Sequence, residues 1–142
     1  NDGIDNDCDG GANACGMHGT LSVDTARTRI TGEDTRDQIG SRISSADDAN
    51  GDGLTDLLVD ARFSDLGGDD AGAVYLVHGP LAAGEISLET SAAVMVGESE
   101  GDQLGSALVA GDLNSDGYSD MVLTSVNSAT SSLKSGPSIC TC

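Results

Sequence analysis

Basic residues, aromatics and long apolar runs are scarce in this chain of 142 residues. Lys and Arg number 6 against 24 Asp and Glu, giving a formal net charge of -18. Binding to nucleic acid by neutralising phosphates needs the opposite surface and is excluded. Docking on an anionic membrane is disfavoured for the same reason. The aromatics are Phe63, Tyr75 and Tyr118, with no Trp, too few for a platform that stacks bases or sugars. No apolar run approaches the roughly 20 residues that span a bilayer. The sequence opens at Asn1, and no signal-peptide pattern is read in the residues given.

Asp and Gly are what the chain has in excess. Asp supplies 19 of the 24 acidic residues, and Gly 20 of the 142. Glu suits helices, whereas Asp suits turns, caps and hard-cation sites. The excess is consistent with cation-holding loops or with a merely solvated, halophilic surface. Position separates the two readings, because the acids are not scattered.

They fall in an internal repeat. Residues 30–41 read ITGEDTRDQIGS and residues 95–106 read MVGESEGDQLGS, identical at six of twelve positions at an offset of 65. Residues 48–59 read DANGDGLTDLLV and residues 112–123 read DLNSDGYSDMVL, identical at five of twelve at an offset of 64. The unit is therefore 64–65 residues long, complete once and broken off in its second copy. Its apolar runs are short and bounded by turn residues: Leu57–Val59, Ala73–Val77, Ala92–Val96 and Met121–Leu123. Residues 39–44 alternate enough for a further strand. No stretch has a helical period with caps. The sequence predicts an all-β chain of four-stranded units, and a unit of that length suits a propeller blade better than a sandwich.

Each unit carries Asp-x-Asn-x-Asp-Gly-x-x-Asp. The first loop uses Asp48, Asn50, Asp52, Gly53 and Asp56, and the second Asp112, Asn114, Asp116, Gly117 and Asp120. Oxygen-bearing side chains at positions 1, 3 and 5 converge when a chain wraps a cation, and Gly at position 6 allows the sharp turn. Position 7 offers a backbone carbonyl, here from Leu54 and Tyr118, and Asp at position 9 closes the shell. Hard oxygen ligands of this kind suit Ca²⁺. The pattern is not an EF-hand, because Val59 and Leu123 stand where a bidentate Glu belongs. The alternative is a pair of metal-free Asx-turn hairpins. The expected affinity lies roughly between 10⁻⁶ and 10⁻³ M.

These residues resemble the FG-GAP repeat, the blade unit of the integrin α-subunit propeller and of many bacterial surface proteins. The opening Phe-Gly of that pattern corresponds to Ile39-Gly40 and Leu104-Gly105, and its Gly-Ala-Val-Tyr element to Gly72–Tyr75. The Gly-Ala-Pro element is degraded to Asp60-Ala61-Arg62. The resemblance covers residues 28–126 and implies Ca²⁺ binding by the two loops, and a fragment of a propeller of about seven blades. On this reading residues 18–126 are propeller: 28–38 an outer strand of a preceding blade, 39–97 a full blade and 98–126 a partial one. The remaining blades would follow elsewhere in a longer chain. Residues 127–142 are expected to be a disordered Ser/Thr-rich tail with no third strand.

The first residues form a separate motif. Asp2–Gly10 resemble an Asp-Gly-x-Asp-Asn-Asp-Cys-Asp-Gly metal-binding segment of secreted bacterial proteins. Asp5, Asp7 and Asp9 take positions 1, 3 and 5, and Asn13 takes position 9, where the pattern usually has Asp. Residues 1–17 are read as a third Ca²⁺ site or as an acidic linker. Cys8 and Cys15 could close a small loop, whereas Cys140 and Cys142 lie too close for an easy mutual bridge. A zinc site from Cys8, Cys15 and His18 has poor spacing and too few ligands.

No nucleophile–base arrangement and no phosphate loop opening a helix can be read, so no enzymatic activity is expected. Asp65, Asp69 and Asp70 are read as solvated. Three functions remain: a calcium-stabilised, secreted or cell-surface bacterial module for adhesion or for binding a protein or glycan; a non-catalytic accessory module of a larger secreted enzyme; and a structural spacer.

Overall fold

The computed structural model describes residues 22–115 and 117–127 and the backbone of 138–140. Regular structure among them is β, apart from two 3-10 turns at Val23–Thr25 and Leu88–Thr90. The central sheet contains β2 (Ile43–Ser45), β3 (Leu57–Ala61), β4 (Ala73–Val77) and β6 (Ala93–Val96), in the order β2-β3-β4-β6. Every pairing is antiparallel, with Val59 opposite Tyr75 and Tyr75 opposite Val94. This is the four-stranded blade that the repeat length predicts. The acidic loop at 48–56 joins β2 to β3.

A second sheet repeats the start of the first. β7 (Ala107–Gly111) pairs antiparallel with β8 (Asp120–Thr124), and the loop at 112–120 joins them. β9 (Ser138–Cys140) lies antiparallel on the far side of β8, with Val122 opposite Ile139. The sequence predicts no third strand in the tail, and β9 corrects that expectation. The reason is the open edge of β8, whose unpaired backbone groups accept a strand even from a Ser-rich sequence.

β1 (Thr28–Thr31) pairs parallel with β5 (Gly84–Ser87) in a third, two-stranded sheet. The sequence predicts no strand at 84–87, because Ile86 is the one apolar residue there. The turn Val23–Thr25 and β1 stand 65 residues before the turn Leu88–Thr90 and β6 (88 − 23 = 65; 93 − 28 = 65). Ser22 and Ser87 cap these two turns in the same way, each side chain accepting the amide of the residue two further on. β2 begins later than residue 39, because Gln38 and Gly40 hold φ of 52° and 73° and turn the chain. The matching Gln103 and Gly105 hold 52° and 103°.

Successive strand residues face opposite sides, so β3 and β4 each feed two cores. Leu58, Val74 and Leu76 pack with Ala46 against Met121 and Leu123 of the second sheet. Val59, Ala73, Tyr75 and Val77 pack with Leu88, against Ile30 of β1 and Ile86 of β5. Burial on both faces explains why β3 and β4 read as continuous apolar runs rather than alternating ones. Each large side chain buried there contributes about 1.5–3 kcal/mol. Gly72 opens the Gly-Ala-Val-Tyr element at φ 81°, and a Cβ on it would lie 2.4 Å from the amide nitrogen of Leu104. That close approach requires glycine.

Candidate functional site

The two acidic loops fold alike. In the first, the amides of Asp52 and Gly53 donate to the Asp48 carboxylate at 2.9 and 2.8 Å. The Asp52 amide also reaches Asn50 Oδ1 at 2.9 Å, and the Leu54 amide reaches Asp52 Oδ1 at 2.8 Å. Asp56 is fully buried and accepts from the amides of Ala49 at 3.1 Å and Gly79 at 2.8 Å. In the second loop Gly117 donates to Asp112 Oδ2 at 3.0 Å, and Leu113 donates to Asp120 Oδ2 at 2.9 Å. So the position-1 carboxylate takes the position-6 amide, and the position-9 carboxylate takes the position-2 amide, in both repeats.

Burial is graded along each loop. Asp56 and Asp120 are buried, Asp48 is half-buried, and Asn50, Asp52, Leu54, Asp112, Asn114 and Tyr118 are exposed. Asp116 lies outside the described residues, as do Asp5, Asp7, Asp9 and Asn13 of the N-terminal motif. Asp48, Asp52 and Asp56 do not form a trio with oxygens all within 4.8 Å of one another. Among the described residues that arrangement is reached by Asp65, Asp69 and Asp70, all exposed. In the loops the carboxylates are instead held by backbone amides. The donors are all oxygen, and the first and last of them are fixed at matching places in both repeats. That donor chemistry fits a hard divalent cation. Asp48, Asn50, Asp52, Asp56 and the Leu54 carbonyl could hold one.

Buried acids outside the loops are what the sequence did not reveal. Asp60 is fully buried; its Oδ1 accepts the Arg42 amide at 2.7 Å, and its Oδ2 has no hydrogen-bond partner among the described residues. Burial pushes its carboxyl above the usual carboxylate range, against the pull of the Arg42 amide and of the Arg42 and Arg62 charges. Asp37 is raised by burial and by the carboxylates of Asp34, Asp65 and Glu33. Its repeat counterpart Asp102 accepts the Ser99 amide at 3.0 Å through Oδ2, while its buried Oδ1 has no partner among the described residues. The Asp-Gln-x-Gly-Ser block shared by the two repeats was the signal for Asp37 and Asp102. Tyr75 donates to Glu33 Oε1 at 3.2 Å, and burial pushes its phenol up to about 12. His78 is exposed at the end of β4.

Residues 40–77 match the model of the FG-GAP repeat family. The chain is also similar to integrin alpha-PS5 of Drosophila melanogaster, 39% identical over 80 residues. The match covers 55% of this chain and 8% of that protein, so the chain spans a small part of its relative's length. Among the described residues no helix is long and apolar enough to cross a membrane.

Proposed function

We propose that this chain is a calcium-stabilised segment of a β-propeller, carried by a secreted or cell-surface protein, whose blades present a surface for adhesion or for a protein or glycan ligand. The observation that carries the reading is the pair of acidic loops, closed by the same amide–carboxylate bonds at the same place in two repeats. The FG-GAP match and the likeness to an integrin alpha chain support a non-catalytic, extracellular role. The N-terminal Asp-rich motif supports a bacterial source and a third cation site.

Ca²⁺ would be structural. Its charge would offset the repulsion among Asp48, Asp52 and Asp56, and among Asp112, Asp116 and Asp120, and would stiffen the β2–β3 and β7–β8 connections. The rest of the work falls to the chain itself: the two cores hold the blade, and the loops fix its rim. The test is a calorimetric Ca²⁺ titration of the whole chain, with β content followed by circular dichroism. The reading predicts binding at both loops, one lost in Asp48→Asn and the other in Asp112→Asn. A wild-type chain that takes up no Ca²⁺ would overturn it.

A further inference from the structure

The chain packs one sheet on another, and the repeat leaves both halves of that interface open elsewhere. In the covered interface Leu58, Val74 and Leu76 of the first sheet meet Met121 and Leu123 of the second, with Leu108 packed against them. The repeat offset carries each half to the other sheet. Leu58 corresponds to Val122 (122 − 58 = 64), which pairs with Val109, 56% exposed. Leu108 corresponds to Ile43 (108 − 43 = 65), which pairs with Val59 and is 60% exposed. Directly paired residues share a face. The second sheet therefore presents, at Val109 and Val122, the kind of face that the first sheet buries. The first sheet presents, at Ile43, the kind of face that the second buries.

The strands complement one another in the same sense. β1 matches β6, the fourth strand of the first sheet, at the offset of 65, and among the described residues it has only β5 beside it. Its Ile30 packs on the face of the first sheet that holds Val59, the face on which Ile43 is bare. The second sheet is β7-β8-β9, three strands with no fourth among the described residues. We propose that copies of this chain associate head to tail: the Val109 and Val122 face of one copy covers the Ile43 face of the next, so that β7, β8 and β9 of the first and β1 of the second lie in one layer. The contact continues the packing that already joins the two sheets within each copy. It rests on that packing alone and not on the calcium reading above. The two faces differ, so copies add until a ring closes or a filament grows. Each copy carries a charge of -18, so repulsion opposes the contact and salt, by screening, favours it.

The test is sedimentation of the whole chain over a concentration series, at low and high salt. Val109→Asp and Ile43→Asp each place a charge on one open face. Both side chains are exposed in the single copy, so β content by circular dichroism should stay as in the wild type. The wild type is expected to form species larger than one chain, increasing with concentration and with salt. Each variant alone should lose this association, because every contact would meet a charged face. An equal mixture of the two should form pairs and nothing larger, since one intact face of each kind remains. A wild type that stays monomeric throughout would overturn the proposal and would assign the open faces to further repeats of a longer chain. Association that survives both substitutions would overturn it, as would a mixture that stays monomeric while the wild type assembles.

Discussion

The two repeats share a loop, a left-handed Gln and a left-handed Gly, yet they stand in different surroundings. The first is covered on both faces, by the second sheet on one side and by β1 and β5 on the other. In the second, Met121 and Leu123 are buried against the first repeat, while Val109 is 56% exposed. Matched positions show the consequence. Leu58 is fully buried and its counterpart Val122 only half so; Asp60 is fully buried and its counterpart Thr124 exposed. Local turn chemistry is thus carried by each copy of the sequence, whereas burial is conferred by neighbours. Stability should follow the neighbours, and cation binding should follow the copy.

The largest contrast is in the core. Leu58→Ala should cost about 2–5 kcal/mol in urea unfolding, because it empties a site walled on all sides. Val122→Ala should cost about 1 kcal/mol or less, because its site is already open to water. Equal costs would mean that the two faces are equally packed. Next comes the cation. At a hundredfold excess over Kd, Ca²⁺ should add about 2.7 kcal/mol for each occupied loop, and a chelator should remove it. Here the repeats should behave alike, with Asp48→Asn and Asp112→Asn each forfeiting one such increment.

A smaller effect separates Asp60 from Thr124. The raised Asp60 carboxyl means that the folded chain holds this proton more tightly than the unfolded chain does. Its contribution to stability is fully present below the ordinary carboxylate range and is lost as the pH rises through its raised folded value. Asp37 contributes with the same sign. Asp60→Asn keeps an oxygen for the Arg42 amide and removes the buried charge. It should stabilise the chain by about 1 kcal/mol at neutral pH and flatten that part of the pH dependence. Thr124→Asp, at the exposed counterpart, should move stability by less than about 0.5 kcal/mol. Thermal unfolding between pH 4 and pH 8 reads both variants.

Much of this architecture was legible in the sequence because the signals were local. Continuous apolar runs bounded by turns gave β3, β4 and β8, and the spacing of Asp, Asn and Gly gave the two loops. β5 was not legible: Gly84, Glu85 and Ser87 carry no strand signal, and the pairing with β1 comes from a segment more than fifty residues away. Asp60 was read only as a departure from a motif, because nothing local says that a carboxylate will be buried. Its burial comes partly from the second repeat, where a Cβ at Gly105 would fall 2.9 Å from Asp60 Cβ. A Cβ built on Gly51 would likewise lie 3.2 Å from Tyr118 Cε1, a closeness that comes from two repeats packed together and that neither copy alone contains.

The central claim is that cations sit in the two repeat loops and not simply where exposed carboxylates happen to meet. Crystals of the whole chain grown with Ca²⁺ and measured at long wavelength would locate the ion by its anomalous signal. One peak is expected inside 48–56 and one inside 112–120. A peak confined to Asp65, Asp69 and Asp70, or no peak at all, would contradict it.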